Sequence, residues 1–118
     1  MNEPLQHVLF VEDESDLREI MQDALADHGY AATVARDGRE ALERLDGGQR
    51  FSHVVTDVSM PEGVSGLEVA ARALRQQPPP RVVVASGYQR SQLDQLPEGA
   101  RFLSKPYRIR QLLAALDG

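Results

Sequence analysis

The sequence contains no cysteine, no long apolar run and no excess of basic residues, and each absence excludes a class of protein. Without cysteine the chain forms no disulfide bond and no thiolate metal site, which is common for proteins of reducing compartments. The longest strongly apolar run, residues 82–85, is far too short to span a membrane, and residues 1–6 do not resemble a signal peptide. We therefore expect a cytoplasmic protein that makes no contact with a membrane.

The charge balance argues against nucleic acid as a direct partner. The chain has 13 Lys and Arg against 18 Asp and Glu, for a formal net charge of -5 at pH 7. No cluster of basic residues large enough to cover a face appears, so the electrostatic attraction that drives sequence-independent binding to phosphates is missing. A hydrophobic fraction of 42% in 118 residues is ordinary for one folded domain. We expect a single domain over residues 1–118.

Five short β-rich runs alternate with segments of helical period. Most of the runs are continuously apolar, which is typical of strands covered on both faces. Strands that alternate with helices form a mostly parallel sheet with helices on both sides. The predicted fold class is therefore α/β, with a doubly wound five-stranded parallel sheet. The predicted strands are residues 7–11, 31–35, 53–57, 81–86 and 100–104.

Capping signals and apolar spacing predict four of the helices. The first is expected to have Ser15 as its N-cap and an apolar stripe that includes Leu17, Ile20 and Met21. Another, short helix is expected within residues 87–99, where few apolar residues anchor it. The predicted N-caps of the second and third helices are Asp37 and Ser65, and the last helix carries an apolar stripe from Ile109 to Leu116.

Reactive side chains stand where four of the predicted strands end. The first strand is followed by Glu12 and Asp13, the third ends at Asp57, the fourth ends at Ser86, and Lys105 follows the fifth. The carboxyl ends of parallel strands share one rim of an open sheet, and ligands bind there where the strand order reverses. Each residue alone is explained by a helix cap or a solvated charge. Their joint placement predicts a functional site.

The carboxylates at this rim predict a bound divalent cation. Two like charges about 4 Å apart repel by roughly 4 kcal/mol at an effective dielectric near 20, so the cluster requires protons or a cation. Oxygen ligands without His or Cys suit Mg²⁺, which often completes its coordination with water and phosphate. With the metal screening it, Asp57 is the candidate nucleophile that forms an aspartyl phosphate. Ser86 would then bind one phosphoryl oxygen and Lys105 another.

The motifs VEDES, VVTDVSMP, VASGY and FLSKPY, in this order, resemble those of CheY-like receiver domains of two-component response regulators. The resemblance covers nearly the whole chain and implies a flavodoxin-like sheet of strand order 2-1-3-4-5. It implies that a histidine kinase or a phosphotransfer protein supplies the phosphoryl group to Asp57, which switches a surface that binds a downstream protein. It also implies that Glu12, Asp13, Asp57 and the main-chain carbonyl of Ser59 hold Mg²⁺.

The same resemblance predicts a switch and a special peptide bond. Ser86 is expected to move toward the phosphoryl group while Phe102 enters the space that Ser86 leaves, although a plain core phenylalanine explains Phe102 equally well. The Lys105–Pro106 bond is expected to be cis. Two departures from the family pattern are Glu12, where aspartate is often found, and Gly66, which comes one residue later than usual. The longer loop before Gly66, together with the SGY and KPY motifs, resembles those of receivers attached to hybrid histidine kinases.

Three other functions share part of this pattern. A flavodoxin-like flavin or nucleotide binder shares the sheet, but it requires a phosphate-binding loop where this chain has EDES. A metal-dependent phosphatase with an aspartyl nucleophile would carry a second acid where Ser59 stands. A receiver-like module that is never phosphorylated would not require the complete site. We expect a phosphoacceptor switch that assists its own phosphorylation and dephosphorylation, not an enzyme acting on other substrates, and either a monomer or a weak dimer.

Overall fold

The computed structural model describes residues 6–59, 63–87 and 96–117. Each of the five predicted strands is confirmed with its predicted bounds. The short helix expected within residues 87–99 falls mostly on residues 88–95, outside the described residues. The order of elements is β1 (His7–Val11), α1 (Ser15–Asp27), β2 (Ala31–Ala35), α2 (Gly38–Asp46), β3 (His53–Asp57), α3 (Gly66–Leu74), β4 (Arg81–Ser86), β5 (Ala100–Ser104) and α4 (Ile109–Asp117).

The five strands form one parallel sheet in the order β2-β1-β3-β4-β5. The chain leaves β1 toward one edge of the sheet and returns to its other side at β3, so the order reverses between these two strands. In register, Val11 of β1 lies beside Thr56 of β3, and Asp57 lies beside Ala85 of β4. The predicted fold class and strand order are confirmed, and the acids after β1 lie at the reversal point beside Asp57. Within the described ranges, no helix combines the length and apolarity needed to cross a membrane.

Alternate residues of the central strands cover two separate cores. One core contains Leu9 and Val54 with side chains of α2 and α3, and the other contains Val8 and Val55 with side chains of α1 and α4. The four side chains are at most 1% exposed, and burying one such side chain contributes about 1.5 to 3 kcal/mol. Because both faces are buried, these strands are continuously apolar and hold the rim of the sheet in a fixed geometry.

Helix α1 corrects two predictions. Its N-cap is Glu14 and not Ser15, because Glu14 keeps an extended backbone (φ -85°, ψ 118°) while Ser15 is already helical. Ile20 is 62% exposed, so it does not belong to the buried stripe that Met21 and Leu25 form. At about 100° of rotation per residue, Ile20 lies roughly 100° around the helix axis from the centre of the stripe formed by Leu17, Met21 and Leu25.

The predicted caps of the next two helices are confirmed. Asp37 Oδ1 accepts a hydrogen bond from the Glu40 N–H at 2.8 Å, and Ser65 Oγ accepts one from the Glu68 N–H at 3.3 Å. A side chain that caps a helix in this way stabilises it by about 1 kcal/mol. These caps determine where each helix begins after the rim of the sheet.

The last turn of α4 is held by side chains that come from the sheet. The helix has no basic residue in its own last turn. Arg101 of β5 donates to the carbonyl oxygen of Ala115 at 3.1 Å, and His53 Nε2 donates to that of Leu116 at 3.0 Å. His53 is only 8% exposed, and its Nδ1 lies 2.7 Å from Ser52 Oγ. Carbonyl groups that the end of the helix leaves without an intrahelical partner are thereby satisfied.

His53 is expected to make the free energy of unfolding depend on pH. Burial lowers its pKa; the hydrogen bond to Leu116 opposes this shift, and the charge of Arg81 adds to it. A histidine whose pKa falls on folding stabilises the protein fully above its unfolded pKa, about 6.5, and less as the pH drops through its folded pKa. In urea unfolding from about pH 7 to pH 5, we expect His53→Gln to lose less stability than the wild type. The exposed His28→Gln is the control, and equal pH slopes in all three proteins would contradict the assignment.

Candidate functional site

Asp57 and Lys105 form an ion pair at the carboxyl end of the sheet. Asp57 is the last residue of β3 and is 9% exposed. Lys105 Nζ donates to Asp57 Oδ2 at 2.7 Å and lies 3.6 Å from Glu12 Oε1. The N–H of Lys105 donates to the carbonyl oxygen of Ser86 at 2.8 Å, and the peptide bond to Pro106 is cis. The end of β4 therefore holds the backbone from which the ammonium group reaches Asp57.

Three carboxylates converge beside this pair. Glu12, Asp13 and Asp57 each place one carboxylate oxygen within 4.8 Å of the others. Glu12 is 3% exposed, and its Oε2 accepts a hydrogen bond from the Glu14 N–H at 3.1 Å. These hard oxygen donors, without His or Cys, are the kind that Mg²⁺ prefers, and one such ion can be shared by oxygens this close together. The residues therefore fit the expected metal.

Burial dominates the electrostatics of the site. Burial raises the pKa of Asp57, and the hydrogen bond from Lys105 opposes this shift. Burial also raises the pKa of Glu12, and there the charge of Asp57 adds to the shift. Burial alone would lower the pKa of Lys105, but the hydrogen bond and charge of Asp57, together with Glu12, outweigh it and raise that pKa. The carboxylates are thus costly to ionise with a single ammonium group beside them, and a bound cation would offset that cost.

The remaining predicted residues lie around this cluster. Ser86, the last residue of β4, is 3% exposed. Phe102 of β5 is partly buried and pairs in register with Val84, two residues before Ser86, so Phe102 and Ser86 lie on the same face of the sheet. Among the described residues, a Cβ on Gly87, the residue after Ser86, would meet no atom within 4 Å beyond its chain neighbours. Ser59 is exposed, two residues after Asp57.

Two residues that border the cluster of carboxylates were not predicted from the sequence to be part of it. Arg18 Nη1 donates to the main-chain oxygens of Glu12 at 3.0 Å and of Asp13 at 3.3 Å. Tyr107 packs against the core formed with α1 and α4, and burial, together with the charges of Glu12 and Asp57, raises its pKa. For Arg18 the sequence did offer a signal, because it is an arginine one turn into the helix that follows the acids.

Gly66 permits a close approach behind the site. Its N–H donates to the carbonyl oxygen of Val58 at 2.9 Å, and a Cβ at this position would overlap the main-chain oxygen of Asp57. The position therefore requires glycine for space, and the start of α3 packs directly on the backbone that carries Asp57.

The chain matches the family described as response regulator receiver domain over residues 8–117. It is 33% identical over 116 residues to the response regulator receiver protein CpdR of Brucella abortus, covering 96% of this chain and 95% of CpdR. It is 36% identical over 112 residues to the transcriptional regulatory protein TcrA of Mycobacterium tuberculosis, covering 92% of this chain but only 44% of TcrA. The structure superposes on response regulator TrrA of Thermotoga maritima, solved in complex with Mg²⁺-BeF, with a TM-score of 0.80, 28% identity, and coverage of 92% of this chain and 94% of that one.

These similarities extend over nearly the whole chain and include both fold and sequence. They do not favour the flavodoxin-like flavin or nucleotide binder, which shares only the sheet architecture. The sheet order, the acidic cluster at its reversal point and the family match over residues 8–117 lead to one conclusion. The chain belongs to the receiver domains of two-component response regulators.

Proposed function

We propose that residues 1–118 form a single receiver domain in which Asp57 accepts a phosphoryl group in a Mg²⁺-dependent reaction. The observation that carries this proposal is the environment of Asp57. Its carboxylate is buried, lies 2.7 Å from the Lys105 ammonium and shares a 4.8 Å cluster with the carboxylates of Glu12 and Asp13. A carboxylate held beside a cation and a metal-binding set is suited to nucleophilic attack on phosphorus.

Each residue of the site has a role in the proposed transfer. Glu12, Asp13, Asp57 and the carbonyl of Ser59 would hold Mg²⁺, which when bound neutralises charge on the phosphoryl oxygens. An Asp57 oxygen forms the new bond to phosphorus, while the bond from phosphorus to a histidine nitrogen of the donor breaks. Lys105 would move its hydrogen bond from the Asp57 carboxylate to a phosphoryl oxygen. The hydroxyl of Ser86 would donate to another.

The consequence of transfer would be a change on one face of the sheet. Ser86 and Phe102 lie on that face, and Gly87, which follows Ser86, adds no side chain there. We propose that Ser86 moves toward the phosphoryl group and that Phe102 follows it, which changes the surface available to a downstream protein. The donor would be a histidine kinase or a phosphotransfer protein, and the exchange would take place in the cytoplasm.

The test is phosphorylation of the purified protein by acetyl phosphate. With Mg²⁺ present, intact mass should show one added phosphoryl group, labile in both acid and alkali as an acyl phosphate is. A chelator should abolish the labelling because the three carboxylates then repel the anionic donor. Labelling that persists without a divalent cation would refute the role of the metal. Failure to label with Mg²⁺ would instead support an interaction module that is never phosphorylated.

A further inference from the structure

We propose that Arg18 is a positioning residue that holds the acids after β1 in the orientation that binds the metal. This inference rests on the proposed function. Arg18 Nη1 donates to the main-chain oxygens of both Glu12 and Asp13, at 3.0 and 3.3 Å. The side chain thus fixes the peptide groups of two consecutive residues whose carboxylates both belong to the cluster around Asp57.

The main chain of the segment that Arg18 holds is otherwise hydrogen-bonded to other elements at its two ends, and within the segment the Glu14 N–H donates to the Glu12 carboxylate. At the start, the N–H of Glu12 donates to the carbonyl oxygen of Ala35 in β2 at 2.9 Å. At the C-terminal end of the segment, the carbonyl oxygen of Glu14 accepts the first hydrogen bond of α1, from the main-chain N–H of Arg18, at 3.0 Å. Arg18 adds an anchor between these ends, at the carbonyls of Glu12 and Asp13. An orienting hydrogen bond of this kind typically changes metal affinity 10- to 100-fold, because the ligands no longer need to be ordered by the ion.

The charge of Arg18 would act in the opposite direction. Arg18 lines a cavity of about 630 Å³ and places positive charge near Asp13. The other residues of the lining are Arg36 and Arg39 and the acids Asp37, Glu40 and Glu43. Positive charge beside the site repels Mg²⁺, and its removal alone should strengthen binding slightly. Positioning and charge repulsion therefore predict opposite changes in Mg²⁺ affinity when Arg18 is removed: positioning predicts weaker binding and repulsion predicts tighter binding. A loss of affinity on removing Arg18 identifies positioning as the dominant effect.

Arg39 supplies the matched control. It lines the same cavity from α2 and is exposed, and among the described residues none of its side-chain hydrogen bonds reaches the segment from Glu12 to Glu14. Arg39→Gln therefore removes one positive charge from the lining of the same cavity without releasing the two carbonyls. Arg18→Lys keeps the charge but replaces the planar guanidinium with a shorter, single-nitrogen donor.

Mg²⁺ affinity would be measured by calorimetric titration of the metal-free full chain, in conditions where urea unfolding shows each variant to be folded. We expect binding to weaken about 10-fold in Arg18→Gln, to change less than about 2-fold in Arg39→Gln, and to fall between these in Arg18→Lys. The rate of labelling by acetyl phosphate should recover toward the wild-type value at saturating Mg²⁺. Exchange of the Glu14 amide proton in the metal-free protein should be faster in Arg18→Gln.

Equal Mg²⁺ affinities of Arg18→Gln and Arg39→Gln would overturn this inference, as would tighter binding by Arg18→Gln. A weaker affinity with no recovery of the labelling rate at saturating metal would also overturn it, because Arg18 would then act on the reaction itself. Failure of the proposed function is distinguishable: the wild type would bind Mg²⁺ without being labelled on Asp57. In that case the affinities of the variants still measure the role of Arg18.

Discussion

Asp57→Asn is expected to abolish phosphorylation by acetyl phosphate and at the same time to make the metal-free protein more stable. The first effect follows because the amide is a poor nucleophile and because the proposed function assigns the other carboxylates of the cluster, Glu12 and Asp13, to the metal. The second follows because burial raises the pKa of Asp57 despite the hydrogen bond from Lys105. At neutral pH the folded protein must therefore hold a carboxylate that its surroundings disfavour.

Asparagine keeps the shape of the side chain and removes its charge, while Lys105 keeps Glu12 as an ionic neighbour at 3.6 Å. We expect a gain on the order of 1 kcal/mol at pH 7, equivalent to a rise of about 4 °C in Tm for a domain of this size. Mg²⁺ should reduce the difference, because a ligand that binds the folded state of the wild type stabilises it by mass action. Thermal unfolding with and without Mg²⁺ measures both quantities.

Asp46→Asn is the control for the loss of a single negative charge. Asp46 forms a salt bridge with Arg72 whose two side chains are 59% and 42% exposed, and such surface pairs contribute between zero and about 1 kcal/mol. Its removal should leave labelling intact and should not raise Tm. A labelled Asp57→Asn protein would show that the acceptor is misassigned. A Tm below that of the wild type would show that the ion pair with Lys105 outweighs burial.

Gly66→Ala is expected to destabilise the protein by about 3 kcal/mol and to weaken Mg²⁺ binding in whatever fraction remains folded. The added methyl group would overlap the main-chain oxygen of Asp57 and lie 3.0 Å from the Cα of Val58. Neither atom belongs to a flexible side chain, so the backbone itself must shift. Because that backbone carries Asp57 and leads to Ser59, the shift moves the Asp57 carboxylate relative to that of Glu12.

Gly87→Ala provides the comparison, since an added Cβ there meets no atom of the described residues within 4 Å beyond its chain neighbours. Its effect on unfolding should be small, while Gly66→Ala should lower the urea midpoint sharply. Calorimetric titration with Mg²⁺ under folded conditions then reports the displacement of the site. Similar midpoints for the two variants would mean that α3 moves away from Asp57 at little cost.

The strands were predictable because burial on both faces makes each a short apolar run with clear ends. The caps at Asp37 and Ser65 were predictable because each depends on a contact within one short segment. The capping side chain accepts a hydrogen bond from the N–H of the residue three positions later. Ile20 was misplaced because its spacing from Leu17 fits a helical stripe and only the packing of α1 shows where that stripe is centred. The prediction of Ser15 as the N-cap was wrong for a similar reason. The N-cap is Glu14, and the backbone conformation after β1 depends on contacts from outside the helix.

The cluster of Glu12, Asp13, Asp57 and Lys105 could be predicted because parallel strands deliver their ends to one rim. Distances within the cluster could not be predicted, since they depend on the register of neighbouring strands and on side-chain conformations. The sequence shows an arginine one turn into α1, but it does not show the positioning role proposed for Arg18. That role depends on the direction in which two main-chain carbonyls point, and no residue pattern records that direction.

The backbone ladder of the sheet continues past the strand ends into the site. The N–H groups of Glu12, Val58 and Lys105 donate to carbonyls of the neighbouring strands, at 2.9, 3.1 and 2.8 Å. Hydrogen bonding of the sheet type therefore extends one residue beyond β1, β3 and β5, and it holds the main chain of Glu12, Asp57 and Lys105 where each strand passes into its loop. A change in the loops beyond these residues is expected to alter the surface around the site more than the spacing of its charged groups.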